Sequence, residues 1–163
     1  MKLVHDIQAS FRTAYLPLLL FLLVFATALW SKPSYAVDPI YEGGSPRAAI
    51  RGYDTVAYFS ENRPVKGSKE HTTEYKGATW HFSSEKNLQT FLQAPEKYAP
   101  QYGGYCAYAV ARNTTASIKP EFFTIHDGKL YLNYNKGVQK RWLKDKSGYI
   151  KKADRHWPEL LEK

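Results

Sequence analysis

The sequence predicts a small α+β domain, a single unit with two β-hairpins and several short helices, and three observations lead to that fold class. Two pairs of strand-like segments flank the tight-turn dipeptides Lys76-Gly77 and Asp127-Gly128. Between and beyond them, Leu88, Phe91 and Leu92, and later Val138 and Trp142, recur at helical spacing. The whole chain has 163 residues, within the roughly 100–200 that one domain occupies.

The elements follow in order. Lys2 and Arg12 precede an apolar run from Leu16 to Trp30, broken only by Pro17 and Thr27, and small residues stand at Ser34 and Ala36. A basic start, a short apolar stretch and a small-residue cleavage site make residues 1–36 a signal peptide, cut after Ala36. The protein is therefore expected to be exported, secreted or periplasmic, and to touch a membrane only through this segment. The run is short against the about 20 residues that span a bilayer, and a retained anchor is the alternative. Residues 37–49 contain Pro39, Gly43, Gly44 and Pro46 and read as a linker. The domain then occupies residues 50–158.

Asp54 is a suitable N-cap for a short helix over Thr55–Phe59. Thr72–Tyr75 and Ala78–Phe82 form the first hairpin, with Ala78, Trp80 and Phe82 on one face and Thr79 and His81 on the other. Ser83 or Ser84 caps a helix that turns Leu88, Phe91 and Leu92 inward and stops at Pro95, and Pro95–Tyr98 adds a turn. Gly103-Gly104 opens Tyr105–Val110, whose length suits either a buried strand or a short helix. Phe122–His126 and Lys129–Tyr134 form the second hairpin across a type I′ turn. Gly137–Lys146 is a helix with Val138, Trp142 and Leu143 inward, and a last helix runs from Gly148 to His156, ending at Trp157-Pro158.

Cys106 is the only cysteine, so the fold is built without an internal disulfide, and the thiol is either a small buried hydrophobe or a reactive or metal-binding group. The formal net charge is +8. Its densest basic stretch, Lys136 to Arg155, is read as a solvated helix face beside an anionic membrane surface; with export expected, nucleic acid is not an expected partner. The chain is expected to be monomeric or weakly associating.

Asp54-Thr55-Val56-Ala57, His71, Gly77, Trp80-His81-Phe82-Ser83-Ser84, Phe91 and Pro95-Glu96-Lys97-Tyr98 follow one another in an order and spacing that resembles the YHS domain. The resemblance covers residues 52–98 and implies a hairpin followed by a helix. His71, Trp80 and Ser84 stand where the family has its namesake His, Tyr and Ser. The part from Gly103 to Trp157 resembles the extension of exported stand-alone members. The family is associated with metal binding through cysteines, so the resemblance implies an exported ligand-binding accessory protein that handles a copper or zinc ion. The alternative is a structural or small-molecule-binding module with no metal. Where metal-binding members carry cysteine, this chain has Ala57, Ser83 and Asn87. None supplies the thiolate that selects Cu(I) or holds structural Zn²⁺, and the only methionine is Met1.

A metal site in this chain would have to be rebuilt from Cys106 with His81, His71 and His126. His156 is the fifth histidine of the chain, and no two histidines lie at a ligand spacing. Taken singly, each histidine has an ordinary structural reading, and His126 sits at a hairpin tip. A thiolate–imidazolium pair at Cys106 is a second class of chemistry, with Gly103-Gly104 admitting a substrate or exposing backbone N–H groups. No protease or thioredoxin pattern accompanies it, and the protein is expected not to be an enzyme. Aromatic residues make up 15% of the chain, enough for Tyr102, Tyr105, Tyr108, Tyr131 and Tyr134 to be weighed as a small-ligand surface against simple core packing.

Overall fold

The computed structural model describes residues 37–45 and 47–162, so the signal segment expected over residues 1–36 lies outside the described residues. Among the described residues no helix is long and apolar enough to cross a membrane. The segment 37–49, expected as a linker, is instead part of the domain. Glu42–Gly43 (β1) pairs antiparallel with Ala48–Ala49 (β2), and Ile40, Ala48 and Ala49 are buried. Three apolar side chains spread over ten residues give no periodicity, and the glycines serve a tight ribbon.

Ile50–Gly52 then makes a single turn with positive φ at all three residues. Asp54 starts Thr55–Ser60 (α1), as its capping chemistry predicts. Ser68–Tyr75 (β3) and Ala78–Phe82 (β4) form the first hairpin, with Thr72 opposite His81 and Thr73 opposite Trp80. The β4 alternation holds: Ala78, Trp80 and Phe82 are buried and Thr79 and His81 are not. Ser84 caps Glu85–Gln93 (α2) by accepting from Asn87 N, and Pro95–Tyr98 (α3) follows. Leu88 and Phe91 are buried, whereas Leu92 is exposed, because the core reaches only a narrow stripe of this short helix.

After a second left-handed turn at Tyr102–Gly104, the ambiguous segment resolves as a helix, Ala107–Val110 (α4). Phe123–His126 (β5) and Lys129–Leu132 (β6) form the second hairpin, with Asp127 and Gly128 both at positive φ as a type I′ turn requires. Lys136–Leu143 (α5) ends earlier than expected, and Leu143 is exposed rather than inward. Lys146–Glu162 (α6) starts earlier and continues through Pro158, because Leu160 beyond the proline packs into the core. That burial outweighs the hydrogen bond that proline removes.

Among the described residues the sheets are three separate two-stranded ribbons. Two hydrophobic clusters bind them to the helices. The first gathers Ile50, Val56, Tyr58, Trp80, Phe82, Phe91, Ile118 and the β6 residues Leu130 and Leu132. The second gathers Tyr102, Val110, Trp142, Ala153, Leu160 and the intervening β6 residue Tyr131. Strand alternation thus lets β6 serve both clusters, one from each face.

Candidate functional site

The four positions singled out by the family pattern converge in space. Asp54 is fully buried, and its Oδ1 accepts from the backbone N–H groups of Val56 at 2.9 Å and Ala57 at 3.2 Å. Its Oδ2 accepts from Ser83 N at 2.8 Å, Ser83 Oγ at 2.6 Å and Asn87 Nδ2 at 2.7 Å. Asn87 Nδ2 also reaches Ser83 Oγ at 3.3 Å. The carboxylate therefore joins the start of α1 to the end of β4 and the first turn of α2. Sequence reading found the Asp54 cap but not the longer half of this network, which spans 29 and 33 residues. Ala57 offers only a methyl group, Ser83 a hydroxyl and Asn87 an amide, the last two already turned onto a carboxylate oxygen. This donor set does not fit Cu(I) or a structural Zn²⁺, which take thiolates and imidazoles.

The residues expected to rebuild a metal site are distributed over separate surroundings. Cys106 is 1% exposed, in the first hydrophobic cluster, and its thiol donates to Asn133 Oδ1 at 3.7 Å. His71 shares a strand face with half-buried Thr73 and Tyr75, and its Nδ1 lies 3.4 Å from Glu85 Oε2 without hydrogen-bond alignment. His81, opposite Thr72, points from the other face of that hairpin. Burial, then the charges of Lys66 and Lys69, depress its pKa below the ordinary imidazole value. His126 Nε2 lies 3.5 Å from Asp127 Oδ2 at the tip of the second hairpin. His156 donates from Nδ1 to the Val110 carbonyl at 3.2 Å, which fixes its tautomer. Among the described residues no three His, Cys, Asp or Glu side chains gather into a set that could hold a metal ion.

The Gly103-Gly104 pair admits the protein's own chain. A Cβ at Gly103 would stand 2.0 Å from the Pro39 carbonyl oxygen, and one at Gly104 would stand 2.1 Å from Ile50 Cδ1. Tyr41 N donates to Gly103 O at 2.8 Å, so the pair is the seat of the N-terminal ribbon. The tyrosines around it mostly pack: Tyr102 lies 6.0 Å from Tyr131 and 6.3 Å from Trp157, Tyr105 5.8 Å from Trp157, and Tyr108 5.1 Å from Tyr149, ring to ring. Tyr134 alone of the five is exposed. Burial pushes the Tyr105 and Tyr131 phenols up to about 12.

An open cleft of about 320 Å³ lies elsewhere, lined by Arg51, Tyr53, Lys119, Pro120 and Glu121. Its walls come from the turn before α1 and the loop before β5. Both are fixed from behind: Asp54 N donates to Val65 O at 2.9 Å, Tyr58 Oη to Pro120 O at 3.2 Å, and Lys119 N to Asn133 O at 3.2 Å. Sequence reasoning passed over these residues because no spacing joins Arg51 to Lys119; the positive φ at Ile50 and Arg51 carries no composition signal.

Residues 56–102 match the family model of the YHS domain, a span that begins and ends four residues later than the stretch of resemblance read from the sequence. No curated protein and no solved structure matches the chain.

Proposed function

We propose that this chain, which carries a YHS domain over residues 56–102, is an exported ligand-binding accessory protein whose YHS core is closed by a carboxylate network and needs no metal ion. The export reading rests on the pattern of residues 1–36. The metal-free reading rests on one observation. Ser83 and Asn87, where metal-binding members have cysteine, both donate to the buried Asp54 carboxylate. That arrangement ties together the same elements, α1, β4 and α2, through hydrogen bonds. A buried carboxylate with its lone pairs filled is a stable cross-link, and charge-assisted bonds of this kind are the strong ones. The lone thiol supports the same reading: Cys106 is enclosed by apolar side chains and bonded to Asn133, the environment of an inert cysteine.

The test is a metal titration of the full chain and of Cys106→Ser, with Cu(I), Cu(II) and Zn²⁺ presented separately, and a melting curve with and without chelator. Neither chain is expected to retain stoichiometric metal after desalting, and the chelator is expected to leave Tm unchanged. Metal retained at one equivalent by the parent and lost from Cys106→Ser would restore metal handling. A chelator-induced drop in Tm would overturn the metal-free core.

A further inference from the structure

We infer that the Arg51–Lys119 cleft binds a small organic oxyanion, a carboxylate or a phosphate monoester, with an apolar body against Tyr53 and Pro120. The inference deepens the reading of the chain as a ligand-binding module and rests on it. Among the described residues neither Arg51 nor Lys119 forms an ion pair, although both are exposed at the rim of one 320 Å³ cleft. Two cations left unpaired around a concavity raise the local concentration of anions, and one carboxylate, Glu121, shares the lining with them. Lys66 adds a third positive charge beside Tyr53. Its Nζ lies 4.8 Å from the Tyr53 ring centroid and donates to the Arg51 carbonyl.

The backbone gives a second, independent argument. Ile50 and Arg51 have φ of 51° and 60°, followed by Gly52 at 73°. A left-handed conformation at a β-branched residue is an uncommon and strained arrangement, of a kind that concentrates at binding sites. Here the surroundings enforce it: Ile50 is fully buried against Gly104, and Gly67 N donates to Gly52 O at 2.9 Å. The outcome is that Arg51 and Tyr53 are presented from a hydrogen-bonded turn to the Lys119–Glu121 loop, itself held by Lys119 N to Asn133 O and Tyr58 Oη to Pro120 O.

The lining selects the ligand class. The planar fork of Arg51 matches a carboxylate or phosphate with two parallel donors, and Lys119 supplies a point charge beside it. Tyr53 and Pro120 provide apolar wall, and the volume lies at the low end of the about 300–1,000 Å³ that small-molecule sites occupy. Glu121 opposes a second negative group, so the expected ligand carries its charge at one end.

The experiment is a calorimetric titration of the full chain, in chelator and at low salt, with phenyl phosphate, benzoate and neutral benzyl alcohol. One phenyl phosphate or benzoate should bind saturably and benzyl alcohol should not; the tighter of the two anions identifies the source of the oxyanion. Arg51→Asn, which tolerates the left-handed turn, and Lys119→Gln, at an exposed position, should each weaken binding about fivefold to tenfold. Glu121→Gln should tighten it a few-fold, and Lys151→Gln on α6 should leave it unchanged. The inference is overturned if neither anion saturates, if neither cleft variant weakens binding, or if Lys151→Gln weakens it equally. Because chelator is present throughout, these results stand apart from the outcome of the metal titration.

Discussion

A carboxylate removed from water without a cation beside it survives only if its lone pairs are filled, and Asp54 fills them with five donors from four residues. Replacing it by asparagine tests that accounting at nearly constant shape. One face of the side chain then presents an N–H₂ to groups that are themselves donors, either the α1 N-terminus or the Ser83–Asn87 pair. Leaving buried donors unpaired costs about 1–3 kcal/mol each, so Asp54→Asn should lower stability by about 2–4 kcal/mol. Ser83→Ala removes one donor and should lower it by about 1 kcal/mol. Urea midpoints with unchanged m-values would measure both; a smaller shift for Asp54→Asn than for Ser83→Ala would refute the central place of the carboxylate. The cap half of this role was legible in Asp54 preceding an apolar tetrad, because capping is local. The half reaching Ser83 and Asn87 was not, since nothing in sequence spacing says which buried polar groups a fold will bring together.

The turns carry the same lesson at the level of elements. Asp127-Gly128 and Lys76-Gly77 were legible as hairpin turns because the strands on either side announce their purpose, and Ala78, Trp80 and Phe82 announce the buried face of β4. Gly103-Gly104 was legible as special but not in its meaning: the partner that approaches it is Pro39 and Ile50, more than fifty residues away along the chain, in a segment whose composition resembles a tether. Two glycines at similar φ separate conformational strain from close packing. Gly128 has φ of 70° and nothing within 4 Å of the point where a Cβ would stand, whereas Gly104 has φ of 85° and Ile50 Cδ1 at 2.1 Å from that point. Gly128→Ala should cost only the left-handed penalty, about 1–2 kcal/mol. Gly104→Ala adds overpacking of about 1–3 kcal/mol against a fully buried isoleucine. Thermal melts of the two variants should therefore differ, with Gly104→Ala the lower; equal losses would mean the Ile50 contact yields freely.

At the scale of the molecule, the stretch matched by the family model ends at Tyr102, yet the hydrophobic packing does not divide there. Tyr102 donates from its hydroxyl to Asp154 Oδ1 at 2.8 Å on α6, and Tyr131 stacks at 5.1 Å on Trp142 of α5. Leu130 and Leu132 of the same strand pack with Trp80, Phe82 and Phe91. A chain ending at Asn135 would lose Trp142, Ala153 and Leu160 from the second cluster and expose Tyr102, Val110 and Tyr131. Deleting one buried tryptophan side chain typically costs about 3–5 kcal/mol, and one buried leucine about 2–5 kcal/mol. Their sum consumes most of the about 5–15 kcal/mol by which a domain is stable. The truncated protein is therefore expected to lose near-ultraviolet circular dichroism and to bind a hydrophobic dye, while the full chain unfolds in one transition. A truncated chain that still melts cooperatively would show that the first cluster stands alone and that β6, despite facing both clusters, does not couple them.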